Sequence, residues 1–323
     1  MTKSNENNSV IGPHFLGVEG LSREKLETVL DLTDRFAEIG DRPIPKVPAL
    51  RGRTIASVFF EDSTRTRLSF EAAARRLSAD ILTFTAGSSS LSKGESLRDT
   101  IEVIRSYGAD ALVVRHGTAG TPFRISEWTD ACVINAGDGC HEHPTQALLD
   151  CYTLREKRGS LEGMSIGIVG DVRHSRVARS NVIAFSSLGA EVILIAPQTL
   201  LPPSLKGWPV STSNVFDDVI EGLDACYLLR MQSERHDEGY IPSLREYATD
   251  FGLNVRRASM LKKDSLILHP GPTNHGVEIS SEVSADKRSV ILNQVVNGVS
   301  VRMAVLFMLL SQRDLNDISE DEK

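Results

Sequence analysis

The chain has 323 residues, more than one hydrophobic core usually holds, so two domains are expected. Hydrophobic residues make up 41% and charged residues 24%, as in an ordinary globular enzyme, and no apolar run approaches the roughly 20 residues that span a bilayer. The formal net charge of −7 argues against broad binding to nucleic acids or membrane surfaces, because both attract positively charged proteins.

The N-terminus and the cysteines bear on where the protein works. Residues 1–8 are polar and lack the apolar segment of a secretion signal, so we expect a cytoplasmic protein. The cysteines, Cys132, Cys140, Cys151 and Cys226, show no Cys-x-x-Cys spacing. Because a cytoplasmic chain of this length needs no disulfide framework, we expect them to be reduced and structural.

The first half of the chain alternates short apolar runs with amphipathic segments. Helical periodicity runs from Leu21 to Ile39, with Ser22 placed to cap the helix. Strands are predicted over 54–60, 80–85, 110–115 and 131–136, and helices over 64–77, 97–107 and 143–157. The strands are continuously apolar, which is typical of a parallel sheet covered on both faces.

The alternation restarts after residues 158–163. It predicts strands over 165–170, 190–196, 224–229 and 265–268, helices over 175–187, 217–223, 241–250 and 256–262, and a largely apolar last helix from about 292 to 311. The predicted fold class is therefore α/β, with two doubly wound parallel-sheet domains. Residues 1–148 form the first, residues 149–291 the second, and the C-terminal segment 292–323 packs back on the first.

The segment after the first strand is dense in anion-binding groups. Its hydroxyl and guanidinium side chains are, in order, Ser63, Thr64, Arg65, Thr66 and Arg67. Unpaired backbone N–H groups and the positive end of the helix dipole meet at the same place, so we expect a phosphate site. The alternative is an ordinary N-cap at Ser63 or Thr64 beside solvated arginines, but capping needs far fewer donors.

Further polar positions follow the next strands. Arg115 comes directly after the apolar run 111–114. It is either an anion contact or a surface arginine just beyond a strand. Gly137 and Gly139 allow a tight loop, and His143 and Gln146, three residues apart, face the same side of the helix start that follows.

Two loops keep alternatives open. Cys140, His141, Glu142 and His143 invite a zinc interpretation, but they lack the spacing of a tetrahedral site, so no metal is predicted. Residues 87–96 are rich in serine and contain one lysine, Lys93. This loop is either a flexible connector or a segment that closes over a phosphate.

The second domain carries two arginine sites. The run 166–171 lacks the third glycine of a Gly-x-Gly-x-x-Gly fingerprint, which does not favour a dinucleotide site. Arg176 lies at the following strand-to-helix junction between two further arginines, and Arg230 and Gln232 follow another strand. Two separate guanidinium sites fit a small ligand with two carboxylates. The last strand ends in a rigid turn at 269–272, whose carbonyls are candidates for ligand contact.

Four motifs together resemble one enzyme family. They are Ser63-Thr64-Arg65-Thr66-Arg67, His143-Pro144-Thr145-Gln146, Arg230-Met231-Gln232-Ser233-Glu234-Arg235 and His269-Pro270-Gly271-Pro272. From about residue 14 to residue 312 the chain resembles the catalytic chain of aspartate carbamoyltransferases, within the aspartate/ornithine carbamoyltransferase superfamily. The first motif marks transcarbamoylases generally. The last two select aspartate over ornithine, whose enzymes carry a His-Cys-Leu-Pro element absent from this sequence.

The resemblance implies transfer of the carbamoyl group of carbamoyl phosphate to the amine of L-aspartate, giving N-carbamoyl-L-aspartate and phosphate in de novo pyrimidine (UMP) biosynthesis. It implies a carbamoyl phosphate-binding first domain, an aspartate-binding second domain and an active site in the cleft between them. It implies no cofactor and no metal.

The resemblance also assigns residues. Carbamoyl phosphate would be bound by Ser63, Thr64, Arg65, Thr66, Ser89, Arg115, His143, Gln146, Gly271 and Pro272. Aspartate would be bound by Lys93, by Arg176 at its α-carboxylate, and by Arg230 with Gln232 at its β-carboxylate. The catalytic residues would be Arg65, Thr66, Lys93, Arg115, His143 and Gln146. Thr66, Arg115 and His143 would polarise the carbonyl, and Gln146 with the backbone of Pro270 and Gly271 would hold the carbamoyl NH2.

In this family the serine and lysine loop enters the neighbouring subunit's site. The resemblance therefore implies a homotrimer with shared active sites, in which Ser89 and Lys93 act in trans. Glu61 would pair with Arg176 and Arg235. Whether regulatory or dihydroorotase subunits also bind is left open by the sequence.

The chain departs from the family pattern after His-Pro-Gly-Pro, where Thr273-Asn274-His275-Gly276 replaces a Val-Asn-Arg-Gly-like run. The missing arginine puts closed-state contacts in doubt. There are three alternatives: a transcarbamoylase for another amino acid, a non-catalytic paralogue in a pyrimidine-pathway complex, and a nicotinamide dehydrogenase. Arg230 disfavours the first, the presence of Lys93 and His143 the second, and the incomplete glycine fingerprint the third.

Overall fold

The structure, a computed structural model, describes residues 10–85, 96–231 and 240–311. The described chain divides into two compact units. The first runs to Leu148 and resumes at Asn297, and the second is Leu149–Val296. Both divisions fall inside helices rather than in loops.

Over its described residues, the first unit forms a four-stranded parallel sheet in the order β2-β1-β3-β4. Its elements are α1 (Arg23–Gly40), β1 (Thr54–Phe59), α2 (Thr64–Arg76), β2 (Asp80–Thr85), α3 (Leu97–Ser106), β3 (Ala111–His116), α4 (Thr121–Ser126), β4 (Cys132–Asp138) and the start of α5 (Pro144–Arg158). The chain runs from β1 outward to β2 and returns to the other side of β1 for β3. The sheet therefore has a topological switch point between β1 and β3, where open α/β sheets bind ligands.

The apolar runs explain why these strands form. Val58 of β1, Leu112 of β3 and Val133 of β4 belong to one buried cluster, which Ile101 of α3 and Ile125 of α4 cover. Each such side chain contributes about 1.5–3 kcal/mol when it leaves water. At the start of α1, the Ser22 hydroxyl accepts the Lys25 N–H at 3.3 Å, which confirms the predicted N-cap.

The second unit forms a five-stranded parallel sheet in the order β7-β6-β5-β8-β9, counted over the described residues. Its elements are β5 (Ser165–Val169), α6 (Arg176–Ser187), β6 (Glu191–Ile195), β7 (Val210–Ser213), β8 (Ala225–Leu228), α7 (Leu244–Phe251), α8 (Val255–Met260), β9 (Leu266–Leu268), α9 (Ser281–Ser284) and the start of α10 (Ile291–Leu310). The switch point lies between β5 and β8. Two parallel sheets with helical connections confirm the predicted α/β class.

One predicted helix is wrong. Residues 217–223 form a bend with a short 3-10 turn, Ile220–Gly222, instead of an α-helix. The Asp217 carboxylate accepts hydrogen bonds from Arg256 and Arg257, both at 2.6 Å. Arg256 and Arg257 lie about forty residues after Asp217 in the chain, so the local sequence pattern does not contain these contacts. Conversely, β7, α4 and α9 were not predicted.

α10 is a core helix. By length and composition it is long and apolar enough to cross a membrane, whereas no such segment is expected from the sequence. In the structure, however, 61% of its most apolar stretch is buried. Arg302 lies over the Phe70 ring at 5.0 Å and donates to the Ser69 hydroxyl at 2.8 Å. Phe307 contacts Phe36 of α1, with ring centroids 5.7 Å apart. The second half of α10 therefore completes the core of the first unit.

All four cysteines are thiols in the structure. Cys132, Cys151 and Cys226 are buried, and burial raises the pKa of Cys226 to about 12. Cys140 is exposed, so it does not share the packing of the other three.

We expect one ion pair in the second unit to support stability in a defined pH range. Hydrogen bonds from the Arg288 guanidinium lower the pKa of Asp286 to about 2. Because this value lies below the roughly 3.9 of an unfolded aspartate, the pair stabilises the folded state above about pH 4. Its contribution is lost as the pH falls from about 4 to about 2.

With a side chain 24% exposed, the pair should contribute about 1 kcal/mol after screening. Chemical denaturation of Asp286→Asn should show that loss at pH 7 and a shrinking difference from wild type below pH 4. Asp130→Asn is the matched control, since its side chain is 87% exposed and pairs with Arg105 at the surface. Equal losses in both variants at every pH would contradict this expectation.

Candidate active site

The carboxyl ends of β1 and β3 lie side by side at the first switch point. Arg115 is paired in register with Phe59, and its carbonyl accepts the Phe60 N–H at 2.9 Å. Its guanidinium lies 3.3 Å from the Glu61 carboxylate and donates to the Ala136 carbonyl at 3.2 Å. Arg115 is therefore held beside the segment that begins α2. The sequence did not indicate the Glu61 contact; Arg235, one of the partners expected for Glu61, lies outside the described residues.

The start of α2 does not use its first hydroxyl for capping. Ser63 occupies the N-cap position, with φ −160° and ψ 88°, and its side chain makes no capping hydrogen bond. Thr64 and Arg65 follow as exposed residues of the first turn, and Thr66 is buried. The ordinary-cap alternative is not realised at Ser63. Hydroxyls, a guanidinium and helix N–H groups converge there, as an anion site requires.

A second helix start reaches the same place. Thr66 Oγ1 lies 3.5 Å from His143 Nε2, and both side chains are buried. The His143 carbonyl accepts the Gln146 N–H at 2.9 Å, which begins α5. The positive ends of α2 and α5 therefore meet through Thr66 and His143, and two helix dipoles favour an anion there.

The loop before His143 is fixed by a buried carboxylate that the sequence analysis missed. Asp138 accepts N–H hydrogen bonds from Gly120 at 2.7 Å, Asn135 Nδ2 at 2.8 Å and Glu142 at 3.1 Å. Gly139 has φ +49°, and a Cβ there would lie 2.7 Å from the Ala119 nitrogen, which explains the predicted tight loop. The available signal was an aspartate directly after a buried strand.

The zinc alternative is not what this loop forms. Glu19, His141 and Glu142 bring their ligand atoms within 4.8 Å of one another, whereas Cys140 and His143 are not in this group. The Glu142 carboxylate accepts the Val18 N–H at 2.8 Å and the Glu19 N–H at 3.4 Å. Within the described residues this acidic cluster serves backbone N–H groups.

His116 in the first unit and Tyr247 in the second have shifted pKa values. Burial lowers the pKa of His116, the residue after Arg115. The ring is therefore neutral at pH 7, and its Nδ1 accepts the Thr118 N–H at 2.9 Å. In the second unit, burial raises the pKa of Tyr247 far above its usual range. Neither residue carries charge at neutral pH.

Two arginines flank the second switch point. β5 and β8 are adjacent, and the Leu229 N–H donates to the Val169 carbonyl at 2.8 Å. Arg176 opens α6 after β5, with 5% of its surface exposed, and Ser175 caps the helix by accepting the Ala178 N–H at 3.1 Å. Arg230 follows β8. Both guanidiniums therefore belong to the same edge of this sheet, where a small anion can be held.

The turn at the end of β9 is built around His269. Its Nδ1 accepts the Gly271 N–H at 2.8 Å, and Gly271 has φ 65°, a left-handed conformation that favours glycine. The peptide between Gly271 and Pro272 is cis.

The structure thus brings Thr66 and His143 together in the first unit, holds Arg115 beside Glu61, and places Gln146 in the first turn of α5. In the second unit it places Arg176 and Arg230 beside one switch point. Three predicted ligand residues, Ser89, Lys93 and Gln232, lie outside the described residues.

Comparison with known proteins gives the family of this site. A family model described as the aspartate/ornithine carbamoyltransferase carbamoyl-P binding domain matches residues 13–156, and the corresponding Asp/Orn binding domain matches residues 162–309. The chain belongs to the aspartate/ornithine carbamoyltransferase family. The start of α2 lies in the range of the first model, and Arg176 and Arg230 lie in the range of the second.

Relatives within this family are similar over most of their length. The aspartate carbamoyltransferase catalytic subunit of Acidothermus cellulolyticus is 52% identical over 297 residues, covering 92% of each chain. That of Nocardioides sp. is 54% identical over 304 residues, covering 92% of this chain and 94% of the relative.

Solved structures of the family agree. Aspartate transcarbamoylase from Trypanosoma cruzi, in complex with carbamoyl phosphate and aspartate, has a TM-score of 0.84 at 30% identity, covering 92% of this chain and 96% of that one. The catalytic subunit of M. Jannaschii aspartate transcarbamoylase has a TM-score of 0.82 at 34% identity, covering 94% of this chain and 99% of that one.

Proposed function

We propose that this chain transfers the carbamoyl group of carbamoyl phosphate to the amine of L-aspartate, giving N-carbamoyl-L-aspartate and phosphate, as a step of pyrimidine biosynthesis. One observation carries the proposal: each unit places cationic and hydroxyl side chains at its own switch point. The first unit offers a phosphate site, and the second offers two guanidiniums for a dicarboxylate. Relatives at about half identity are named aspartate carbamoyltransferase catalytic subunits.

The first unit binds carbamoyl phosphate. Ser63, Thr64, Arg65 and Thr66 hold the phosphate at the start of α2, and Arg115 reaches both phosphate and carbonyl. Thr66 and His143, 3.5 Å apart, support this assignment because donors from two helix starts point to one place. Gln146 of this unit holds the carbamoyl NH2 together with the Pro270 and Gly271 backbone of the second unit, where Pro272 is a further carbamoyl phosphate contact.

The second unit binds aspartate. Arg176 takes the α-carboxylate, and Arg230 takes the β-carboxylate together with Gln232. A planar guanidinium forms two parallel hydrogen bonds with a carboxylate, which fixes the orientation as well as the charge. Ornithine would present a cationic side chain to Arg230, so aspartate is the favoured acceptor.

The chemistry is acyl transfer. The neutral amine of aspartate attacks the carbonyl carbon, a C–N bond forms, and the carbonyl oxygen takes the negative charge of a tetrahedral intermediate. Collapse breaks the bond to the phosphate oxygen, and the departing phosphate takes the amine proton. Preoriented donors at the oxyanion and the leaving group supply most of the acceleration, by electrostatics and by positioning.

One assay tests this function. Phosphate release from carbamoyl phosphate is measured with aspartate, with ornithine and without an acceptor, using the folded full-length chain. Release should depend on aspartate, and carbamoyl aspartate should form in equal amount. Release with ornithine but not aspartate, or no release at all, would overturn the proposal.

The proposal extends to assembly and location. The chain works as a cytoplasmic homotrimer with shared sites, in which Ser89 and Lys93 serve the neighbouring subunit; regulatory or dihydroorotase subunits are further candidate partners. Family membership and the Ser-Lys composition of the 87–96 segment support the shared site.

Mixed trimers test the sharing. Arg65→Ala and Lys93→Ala chains should each be nearly inactive alone, because each lacks one contribution to every site. Mixed trimers should regain activity, since some sites then receive an intact Arg65 from one chain and an intact Lys93 from another. Absence of recovery in trimers shown to be mixed would mean that Lys93 works in cis or not at all.

A further inference from the structure

A buried carboxylate in the second unit has no part in the function proposed so far. Glu278 is 1% exposed, and its Oε1 accepts two hydrogen bonds. One comes from His269 Nε2 at 3.1 Å and the other from the Asn274 N–H at 2.8 Å. A buried oxygen that accepts two hydrogen bonds is a strong local constraint, because a buried donor that loses its partner costs free energy.

The first donor leads to the turn that holds the carbamoyl amine. His269 Nδ1 accepts the Gly271 N–H at 2.8 Å, so it carries no proton. The proton is therefore on Nε2, and the neutral ring donates to Glu278. The His269 N–H also donates to Gln294 Oε1 at 3.0 Å, and Gln294 donates to Asp150 at 2.7 Å. This side of the turn is fixed to the core.

The second donor leads to an aspartate-binding arginine. The Asn274 side chain donates through Nδ2 to the Met231 carbonyl at 3.2 Å. Met231 directly follows Arg230. Glu278 therefore links two parts of the backbone. Through His269 it is connected to Gly271, and through Asn274 it is connected to Met231, next to Arg230. Asn274 makes both bonds at once, one from its backbone and one from its side chain.

We propose that Asn274 and Glu278 are positioning residues, which fix Arg230 relative to the Gly271 turn and so set where the acceptor's side-chain carboxylate lies. The inference rests on the proposed function. It makes the segment after His-Pro-Gly-Pro a determinant of acceptor binding through Asn274, which matches the family run, and not through positions 273 and 275, where this chain departs from it.

The two residues should differ in effect. Asn274→Ala breaks the bond to Met231 but keeps the backbone N–H to Glu278 and the His269 bonds. The aspartate KM should rise about tenfold, the loss of roughly one hydrogen bond, with kcat within about threefold and the carbamoyl phosphate KM unchanged. The inhibition constant of succinate, a dicarboxylate without the amine, should rise in parallel.

Glu278→Leu removes the acceptor for both donors, so both substrates should bind more weakly. Glu278→Gln keeps an oxygen for both donors and should stay within about threefold of wild type. This rescue separates hydrogen-bonded positioning from a need for the charge or the volume. If Glu278→Leu does not fold, Asn274→Ala and Glu278→Gln still decide the question.

His275→Ala is the matched control, because His275 is the exposed neighbour of Asn274 and its ring contacts the Thr273 hydroxyl at 3.3 Å. It should leave the aspartate KM unchanged. A folded Asn274→Ala chain with wild-type aspartate KM, or an equal rise in His275→Ala, would overturn the inference while wild-type transfer persists. Failure of the proposed function would instead appear as no transfer to aspartate by the wild-type chain.

Discussion

Replacing Arg115 by alanine is expected to lower kcat about a thousandfold. The guanidinium is held at the first switch point by the Ala136 carbonyl at 3.2 Å and lies 3.3 Å from Glu61. In the proposed reaction it stabilises both the oxyanion and the departing phosphate, and loss of one such donor usually costs about a hundredfold to a thousandfold. Its removal also leaves the site more negative, because the Glu61 carboxylate remains.

The measurement is carbamoyl aspartate formation at saturating concentrations of both substrates. Arg124→Ala serves as the control, because Arg124 is exposed on α4 of the same unit and lies over Trp128. It should retain activity within twofold. A kcat for Arg115→Ala within tenfold of wild type would remove Arg115 from the chemical step, provided that thermal unfolding shows an intact chain.

Replacing Arg176 by alanine is expected to raise the aspartate KM about a hundredfold. The side chain is 5% exposed at the start of α6, so its bonds to a carboxylate form away from water. Hydrogen bonds to charged groups contribute about 1.5–3 kcal/mol, and a bidentate pair lies at the upper end. Carbamoyl phosphate binding, which uses the first unit, should change little.

Initial rates over a wide aspartate range give this KM, and direct titration gives the carbamoyl phosphate affinity. Arg245→Ala, an exposed arginine on α7 of the same unit, provides the comparison and should behave as wild type. An Arg176→Ala enzyme with normal aspartate KM would mean that another cation binds the α-carboxylate.

The sequence predicted most of the fold because its strands are buried on both faces and therefore read as continuous apolar runs. β7 was missed because it is not buried on both faces and has no continuous apolar run. It is an edge strand, Val210–Ser213, and two of its four residues are exposed serine and threonine. The false helix at 217–223 reflects contacts from Arg256 and Arg257, which no local window contains.

The site was predictable where a local motif carries the chemistry. Ser63 to Arg67 could be recognised because hydroxyls and guanidiniums cluster at one strand-to-helix junction. The contact between Glu61 and Arg115 depends on the register of two strands, and the roles of Asp138 and Glu278 depend on backbone N–H groups brought in by folding. Buried acids of this kind look like ordinary surface acids in a sequence.

The position of α10 has a consequence for synthesis on the ribosome. Arg302 and Phe307 complete the core against α1 and α2, yet they are translated only after the whole of the second unit. The second unit is complete in sequence by Val296, before the first unit has received its final helix. Domains usually fold in the order in which they emerge. Here the first unit has to wait until the residues after Val296 have been made, so termination near residue 300 would leave both α1 and α2 without their covering helix.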